Sequence, residues 1–209
     1  MGPSKDNKVQ RCSSVCIGCT GKIDLVFMLD SAGTVHFERF QNLTNFAISV
    51  VNQMDVGPNQ TRVALVYWGG EGYVGFLLNQ YNNKQDVIQA IRNTPYLGNK
   101  TNTPSAFRTL RRIVLIEANG DRRDADNFVV FVANGESTVD PSLTIAEAIQ
   151  SRLNGNHMIT VGVEPQMQNS LELEAITSFP RDFNSFYAPS FKALPNVTNG
   201  VVAAMCNSK

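Results

Sequence analysis

Between Cys19 and Cys206 the chain has no cysteine at all. That absence excludes an internal disulfide framework and confines thiol chemistry to the two ends, where Cys12, Cys16 and Cys19 precede the first apolar run and Cys206 lies close to the last residue. Four cysteines allow three pairings. The C-x3-C-x2-C spacing also suits zinc, but only His36 and His157 are available to add a nitrogen ligand, so disulfides are the preferred reading. An excess of either charge is missing too: Lys+Arg and Asp+Glu both number 18 in 209 residues, which argues against a general binder of nucleic acid or membrane surfaces. No apolar run approaches the roughly 20 residues of a membrane span. Met1 to Gln10 is polar and shows no secretory signal, although Met1-Gly2-Pro3-Ser4 reads as an expression remnant and makes that silence uninformative about compartment. There is no nucleophile–base pair, phosphate loop or G-x-S-x-G, and no internal repeat. With no histidine expected near Asp30, general acid–base chemistry has no support and a hydrolase using Asp30 is a remote alternative.

What the chain does have is a series of buried-strand patterns ending in small polar turns. Ile23 to Leu29 is apolar apart from Asp24, as in a central strand covered on both faces, and it stops at Asp30 before the turn Ser31-Ala32-Gly33-Thr34. Arg62 to Trp68, Asn127 to Ala133 and His157 to Val163 read the same way. Tyr73 to Leu78 is expected to pair as a hairpin with its predecessor, and Phe183 to Tyr187 to be the last strand. Between them the spacing predicts helices over His36 to Met54, Lys84 to Arg92, Pro104 to Ala118, Leu143 to Leu153, Leu171 to Ser178 and Phe191 to Met205. In the fourth of these, Ile145, Ala146, Ile149 and Leu153 form the inward face. In the third, Leu110, Ile113, Val114 and Ile116 do. Alternating strands and helices imply a three-layer, doubly wound α/β fold with a mostly parallel sheet and helices on both faces. Residues 1–20 form a cysteine-bearing arm and 21–207 one domain. In such sheets ligands bind at the carboxyl ends of the strands.

The stretch Asp30-Ser31-Ala32-Gly33-Thr34 resembles the D-x-S-x-S opening of a von Willebrand factor type A domain, the fold of the integrin I domain. The loop Gly98-Asn99-Lys100-Thr101-Asn102-Thr103 resembles the family loop that supplies a metal-binding threonine, and Phe131-Val132-Ala133-Asn134-Gly135-Glu136 resembles its strand end with an aspartate. The resemblance covers the whole domain in element order and implies one antiparallel edge strand, neighbouring termini and a clasp between them, for which Cys206 with Cys19 is the first choice. It also implies a metal-ion-dependent adhesion site at Asp30, Ser31, Thr34, Thr101 and Asn134. This sequence departs from the family there: Ala32 removes a hydroxyl and Asn134 a charge, while Asn134 keeps a carbonyl oxygen. Weakly bound Mg2+ or Ca2+ is one expectation, with Glu136 a replacement carboxylate. The other is that Asp30, Thr34, Thr101 and Asn134 only hydrogen-bond the loops together.

The family resemblance further implies a secreted, non-enzymatic adhesion or scaffold module of the extracellular matrix, binding matrix proteins (collagen-like ones first), with self-association as a further expectation. A metal-dependent receptor-type ligand binder is the second reading. Four N-x-S/T sequons, at Asn42, Asn59, Asn99 and Asn196, agree with secretion. Arg108, Arg111, Arg112, Arg122 and Arg123 make a local basic stretch, read as a solvated face or as a patch for an acidic partner. Trp68 is expected in the core, His36 on the surface and His157 in packing.

Overall fold

The computed structural model describes Cys19 and residues 21–206. Six strands form one sheet: Ile23–Asp30 (β1), Thr61–Trp68 (β2), Gly72–Phe76 (β3), Asp126–Ala133 (β4), His157–Val163 (β5) and Ser185–Ala188 (β6). Their spatial order is β3-β2-β1-β4-β5-β6, and only β3 runs antiparallel. The helices are Phe37–Asn52 (α1), Lys84–Arg92 (α2), Thr103–Thr109 (α3), Pro141–Leu153 (α4), Leu171–Ile176 (α5), Arg181–Asn184 (α6) and Thr198–Cys206 (α7). After β1 the chain builds outward through β2 to β3. It then returns to the other side of β1 and builds through β4 to β6. The reversal falls between β1 and β4, where a doubly wound sheet opens a crevice at its carboxyl edge.

Strand alternation sorts the core into two layers. Leu25, Phe27 and Leu29 face α1, α2 and α7, meeting Leu43, Phe46, Val87 and Val201. Val26 and Met28 face the layer of Trp68, Phe107, Phe131, Leu173 and Ile176. Phe131 is fully buried and stacks between Trp68 at 5.0 Å and Phe107 at 5.7 Å. Asp24, the single break in β1's apolar run, is also buried; its carboxylate accepts from the backbone amide (2.7 Å) and Nε (2.9 Å) of Arg122. The same guanidinium donates to the carbonyls of Ile23, Gln60 and Pro58, so one arginine ties together the starts of β1 and β2.

Four expectations are corrected. The expected inward stripe of α4 points outward: Ile145, Ile149 and Leu153 are 43%, 39% and 73% exposed, and Ala146 is exposed as well. The helix instead buries Thr144, Ala148 and Ser151, small residues that let it lie close against its neighbours α3 and α5. The helix expected to reach Ala118 ends as α3 and passes into a π-turn over Leu110–Val114, where the Leu115 amide donates to the Leu110 carbonyl at 2.9 Å. That widened turn keeps Leu110 and Val114 inside and leaves Ile113 exposed and Ile116 half-buried. The last strand starts later than expected, because Arg181–Asn184 forms a helical turn. The basic stretch is not one patch: Arg108 and Arg111 both bind Glu147 and Arg122 binds the buried Asp24, while Arg112 and Arg123, the latter paired with Glu117, stay on a solvated face.

Candidate functional site

The site is built from three loops: the one leaving β1, the α2–α3 connection that carries Gly98 to Thr103, and the one leaving β4. The first two are joined by backbone. The Gly33 amide donates to the Asn99 carbonyl at 2.7 Å, and the Gly98 amide to the Ser31 carbonyl at 3.0 Å. Gly33 permits this approach, since a Cβ there would meet the Gly98 carbonyl oxygen at 3.1 Å. The Ser31 hydroxyl accepts the Leu97 amide at 2.9 Å and donates toward the Pro95 carbonyl. Ser31 therefore holds the second loop, and its hydroxyl is turned to that task.

The third loop closes on both of the others. Thr34 donates through Oγ1 to Asn134 Oδ1 at 3.3 Å, and Asn134 Nδ2 donates to the Thr34 carbonyl at 3.2 Å. The Thr101 carbonyl accepts from the amides of Thr138 (2.9 Å) and Val139 (3.0 Å), while its own amide donates to Thr138 Oγ1 at 3.2 Å. Asn102 then caps α3 by accepting the Ser105 amide, and Pro104 occupies the first turn, where no amide is needed. Thr101 is thereby fixed in a buried position with its hydroxyl outside any hydrogen bond among the described residues.

Asp30 sits at the centre, fully buried. Its Oδ1 accepts the Ala32 amide at 2.9 Å, and the Asn134 amide also supports the carboxylate. Its Oδ2 has no partner. Burial pushes its pKa up to about 7, against the two amides that lower it, with the nearby Glu172 adding a further upward push. A carboxylate oxygen held dry and unpaired is costly, and a bound cation is one of the few groups that relieves it. Thr34, Thr101 and Asn134, on the loops tied together here, carry neutral oxygens of the kind hard cations take. The residues fit such an ion, though with a single charge. Ala32 is fully buried and offers no oxygen.

With that geometry in place, comparison with known proteins is informative. The von Willebrand factor type A domain family matches residues 24–200. The chain belongs to that family. Relatives include mouse collagen alpha-4(VI) chain, 32% identical over 187 residues, covering 88% of this chain and 8% of that one. Chicken matrilin-1 is 27% identical over 205 residues, covering 98% of this chain and 41% of that one. Among solved structures, proximal thread matrix protein 1 from the mussel byssus, in a form with a zinc-occupied MIDAS motif, superposes with a TM-score of 0.80 at 24% identity over 91% of this chain and 47% of that one. At that identity the likeness speaks for the fold. This type A domain spans well under half of the curated relatives named here.

The remaining candidates fall elsewhere on the type A domain. Cys19 and Cys206 are joined by a disulfide with Cα atoms 4.7 Å apart. Cys12 and Cys16 lie outside the described residues. Asn59 and Asn196 are exposed, and Asn42 is half-buried on α1 with its amide donating to the Glu38 carbonyl. Asn99 is exposed beside the site, but its Oδ1 accepts the Gly70 amide at 2.8 Å. His36 precedes α1 with φ +62°, exposed as expected, and His157 packs on the Phe128 ring and meets Asn184 Oδ1 at 2.8 Å. Trp68 is buried, with Nε1 unpartnered. Glu136 accepts the Ser170 hydroxyl at 2.7 Å and so braces α5.

Sequence reasoning missed Glu172. It is 8% exposed, and both its oxygens accept the Ser137 amide, at 3.3 and 3.1 Å. Burial raises its pKa to about 7. In the run Leu171-Glu172-Leu173-Glu174 a glutamate reads as a solvated face, and only the neighbouring Ser170 cap hints that this short helix starts against another loop.

Proposed function

We propose that this domain is a secreted, non-enzymatic adhesion or scaffold module that binds other extracellular matrix proteins, triple-helical collagens first, through the face formed by Asp30, Thr34, Thr101 and Asn134. The observation that carries the reading is the unpaired, fully buried Asp30 Oδ2 at the sheet's switch point. Family membership and relatives named as collagens and matrilins support the matrix setting. The disulfide between Cys19 and Cys206 agrees with an oxidising compartment. Asn59 and Asn196, both exposed, are the sequons open to a glycan, whereas one on Asn99 crowds the face.

Mg2+ or Ca2+ is the cation the donor set suits, held by Asp30 with Thr34, Thr101 and the Asn134 carbonyl. It supplies positive charge that an acidic side chain of a partner can complete. A single carboxylate makes the hold weak in the isolated domain. Surface plasmon resonance over immobilised triple-helical collagen, in Mg2+ and then in EDTA, tests the proposal. Binding should fall on chelation and in Asp30→Ala, and persist in Ile149→Ser on the far helix. Binding indifferent to Asp30→Ala removes this face from the function. The second reading, a receptor-type binder that strictly requires metal, is favoured by the same orphaned oxygen and predicts no binding whatever in EDTA. Sedimentation velocity across a concentration series tests self-association.

A further inference from the structure

Outside the candidate ligands, one buried carboxylate meets the loop that ends β4: Glu172. Its carboxylate is nine-tenths buried, joins no ion pair among the described residues, and spends both oxygens on one backbone amide, that of Ser137. Ser137 passes the constraint on. Its hydroxyl accepts the Thr103 amide at 3.2 Å and donates to the Val139 carbonyl at 2.8 Å. The two residues after it, Thr138 and Val139, take up the amide and carbonyl of Thr101. The Ser137 amide is first among the groups that hold the Glu172 pKa down against the burial that raises it, and the nearby hydroxyls of Thr103 and Thr144, both fully buried, make no hydrogen bond among the described residues. On the other side Glu136 binds Ser170, the cap of α5, and Gln166 Nε2 donates to the Asn134 carbonyl at 2.8 Å. The loop from Asn134 to Val139 is thus stitched at three points to residues 166–172, and its far side is what positions Thr101.

We propose that Glu172 is a positioning residue of the binding face: from α5 it fixes the Ser137 amide, and through that loop it holds the Thr101 segment in register with Asp30. The proposal rests on the reading of this face as the binding site, but the hydrogen bonds it invokes do not require a bound ion. A buried amide whose acceptor is removed is left without a partner, so the loop should open rather than keep its place. The acceptor role needs an oxygen and not a charge, which separates Glu172→Gln from Glu172→Leu.

The test is amide hydrogen exchange by NMR on the whole chain, with Mg2+ titration of the same samples. In Glu172→Leu the Thr101, Thr103 and Ser137 amides should lose at least tenfold in protection, while Leu25 and Phe27 in β1 keep theirs. Glu172→Gln should stay within about threefold of wild type at all five and shift the Ser137 amide resonance most, since that amide changes acceptor. Unchanged protection in Glu172→Leu, or an equal loss throughout β1, overturns the proposal. If Glu172→Leu does not fold, the decision passes to Glu172→Gln, where an unmoved Ser137 resonance overturns it. Mg2+ affinity should fall at least tenfold wherever Thr101 protection falls. Loss of protection with no Mg2+ binding in any protein, wild type included, sinks the metal reading and leaves the positioning role standing.

Discussion

Restoring both missing ligands, Ala32→Ser with Asn134→Asp, should convert a weak cation site into a strong one at a visible cost to the empty protein. Two unit charges 4 Å apart attract by about 1 kcal/mol in bulk water, so a divalent ion gains about 2 kcal/mol from one added carboxylate even there, and more at a dry site. Asn134 is 3% exposed and Asp30 fully buried, so the two carboxylates would lie on the dry side of the site, with Thr34 at its exposed rim. After the ion gives up part of its hydration, at least tenfold tighter binding remains, or about 1.4 kcal/mol. The empty double variant should be destabilised. The Asn134 Nδ2 donor to the Thr34 carbonyl at 3.2 Å is lost, which costs about 1 to 3 kcal/mol where the acceptor is buried, and a second carboxylate is brought to Asp30's surroundings. Calorimetric titration with Mg2+ reads the first effect. Thermal melts with and without Mg2+ read the second: the variant should melt below wild type in EDTA and recover in Mg2+, while wild type barely responds. Micromolar Mg2+ binding by wild type would mean that another group completes the shell. No binding by either protein would mean that the three loops do not present their oxygens to one point.

Phe131→Ala should cost about 3 to 5 kcal/mol in urea unfolding, because a fully buried ring stacked on Trp68 and Phe107 leaves a cavity that the sheet cannot close; a loss under about 1 kcal/mol would remove β4 from the centre. Cys206→Ser opens a loop with a sequence separation of 187 and should lower stability by up to about 5 kcal/mol on the chain-entropy account, read as the gap between oxidised and reduced melts. Glu172 has its folded pKa raised from 4.5 to about 7, so its protonated form favours the fold: that contribution is complete below about pH 4.5 and is lost as pH rises through 7, with a ceiling of roughly 3 kcal/mol. Glu172→Gln should flatten that part of the stability–pH curve, and a curve parallel to wild type between pH 5 and 8 refutes it. Ile149→Ser, on the outward face of α4, should change stability by less than about 0.5 kcal/mol.

Ile23 to Leu29 and Asn127 to Ala133 announced themselves because strands buried on both faces are apolar at nearly every position, and a turn of small polar residues marks where each ends. The loops after β1 and β4 were legible for the same reason, since a doubly wound sheet gives each such strand end one destination, whereas Gly98 to Thr103 joins α2 to α3 and was legible through its likeness to the family loop. Helix α4 was misread because a period of apolar residues says only that a face exists, and not which neighbour claims it. Thr144, Ala148 and Ser151 win that contest by allowing close approach, a quantity hydropathy does not measure. The π-turn at Leu110–Val114 leaves no mark in residue type. Asp24 and Glu172 escaped because their burial depends on partners 98 and 35 residues away, Arg122 and Ser137, that no local pattern connects.

The disulfide fixes how the domain behaves under tension. Cys19 and Cys206 meet beside the start of β1, at the amino-terminal edge of the sheet, while Asp30 stands at the other end of that strand, roughly 23 Å away at 3.3 Å per residue. A pull that enters ahead of Cys19 and leaves past Cys206 crosses a single covalent bridge instead of running through the strands. Such a pull therefore cannot unzip the sheet or tug the three loops apart while the bridge is intact. The face at the far end of that strand is mechanically insulated from tension applied between the two ends, and reduction of one bond puts the whole sheet in line with the force.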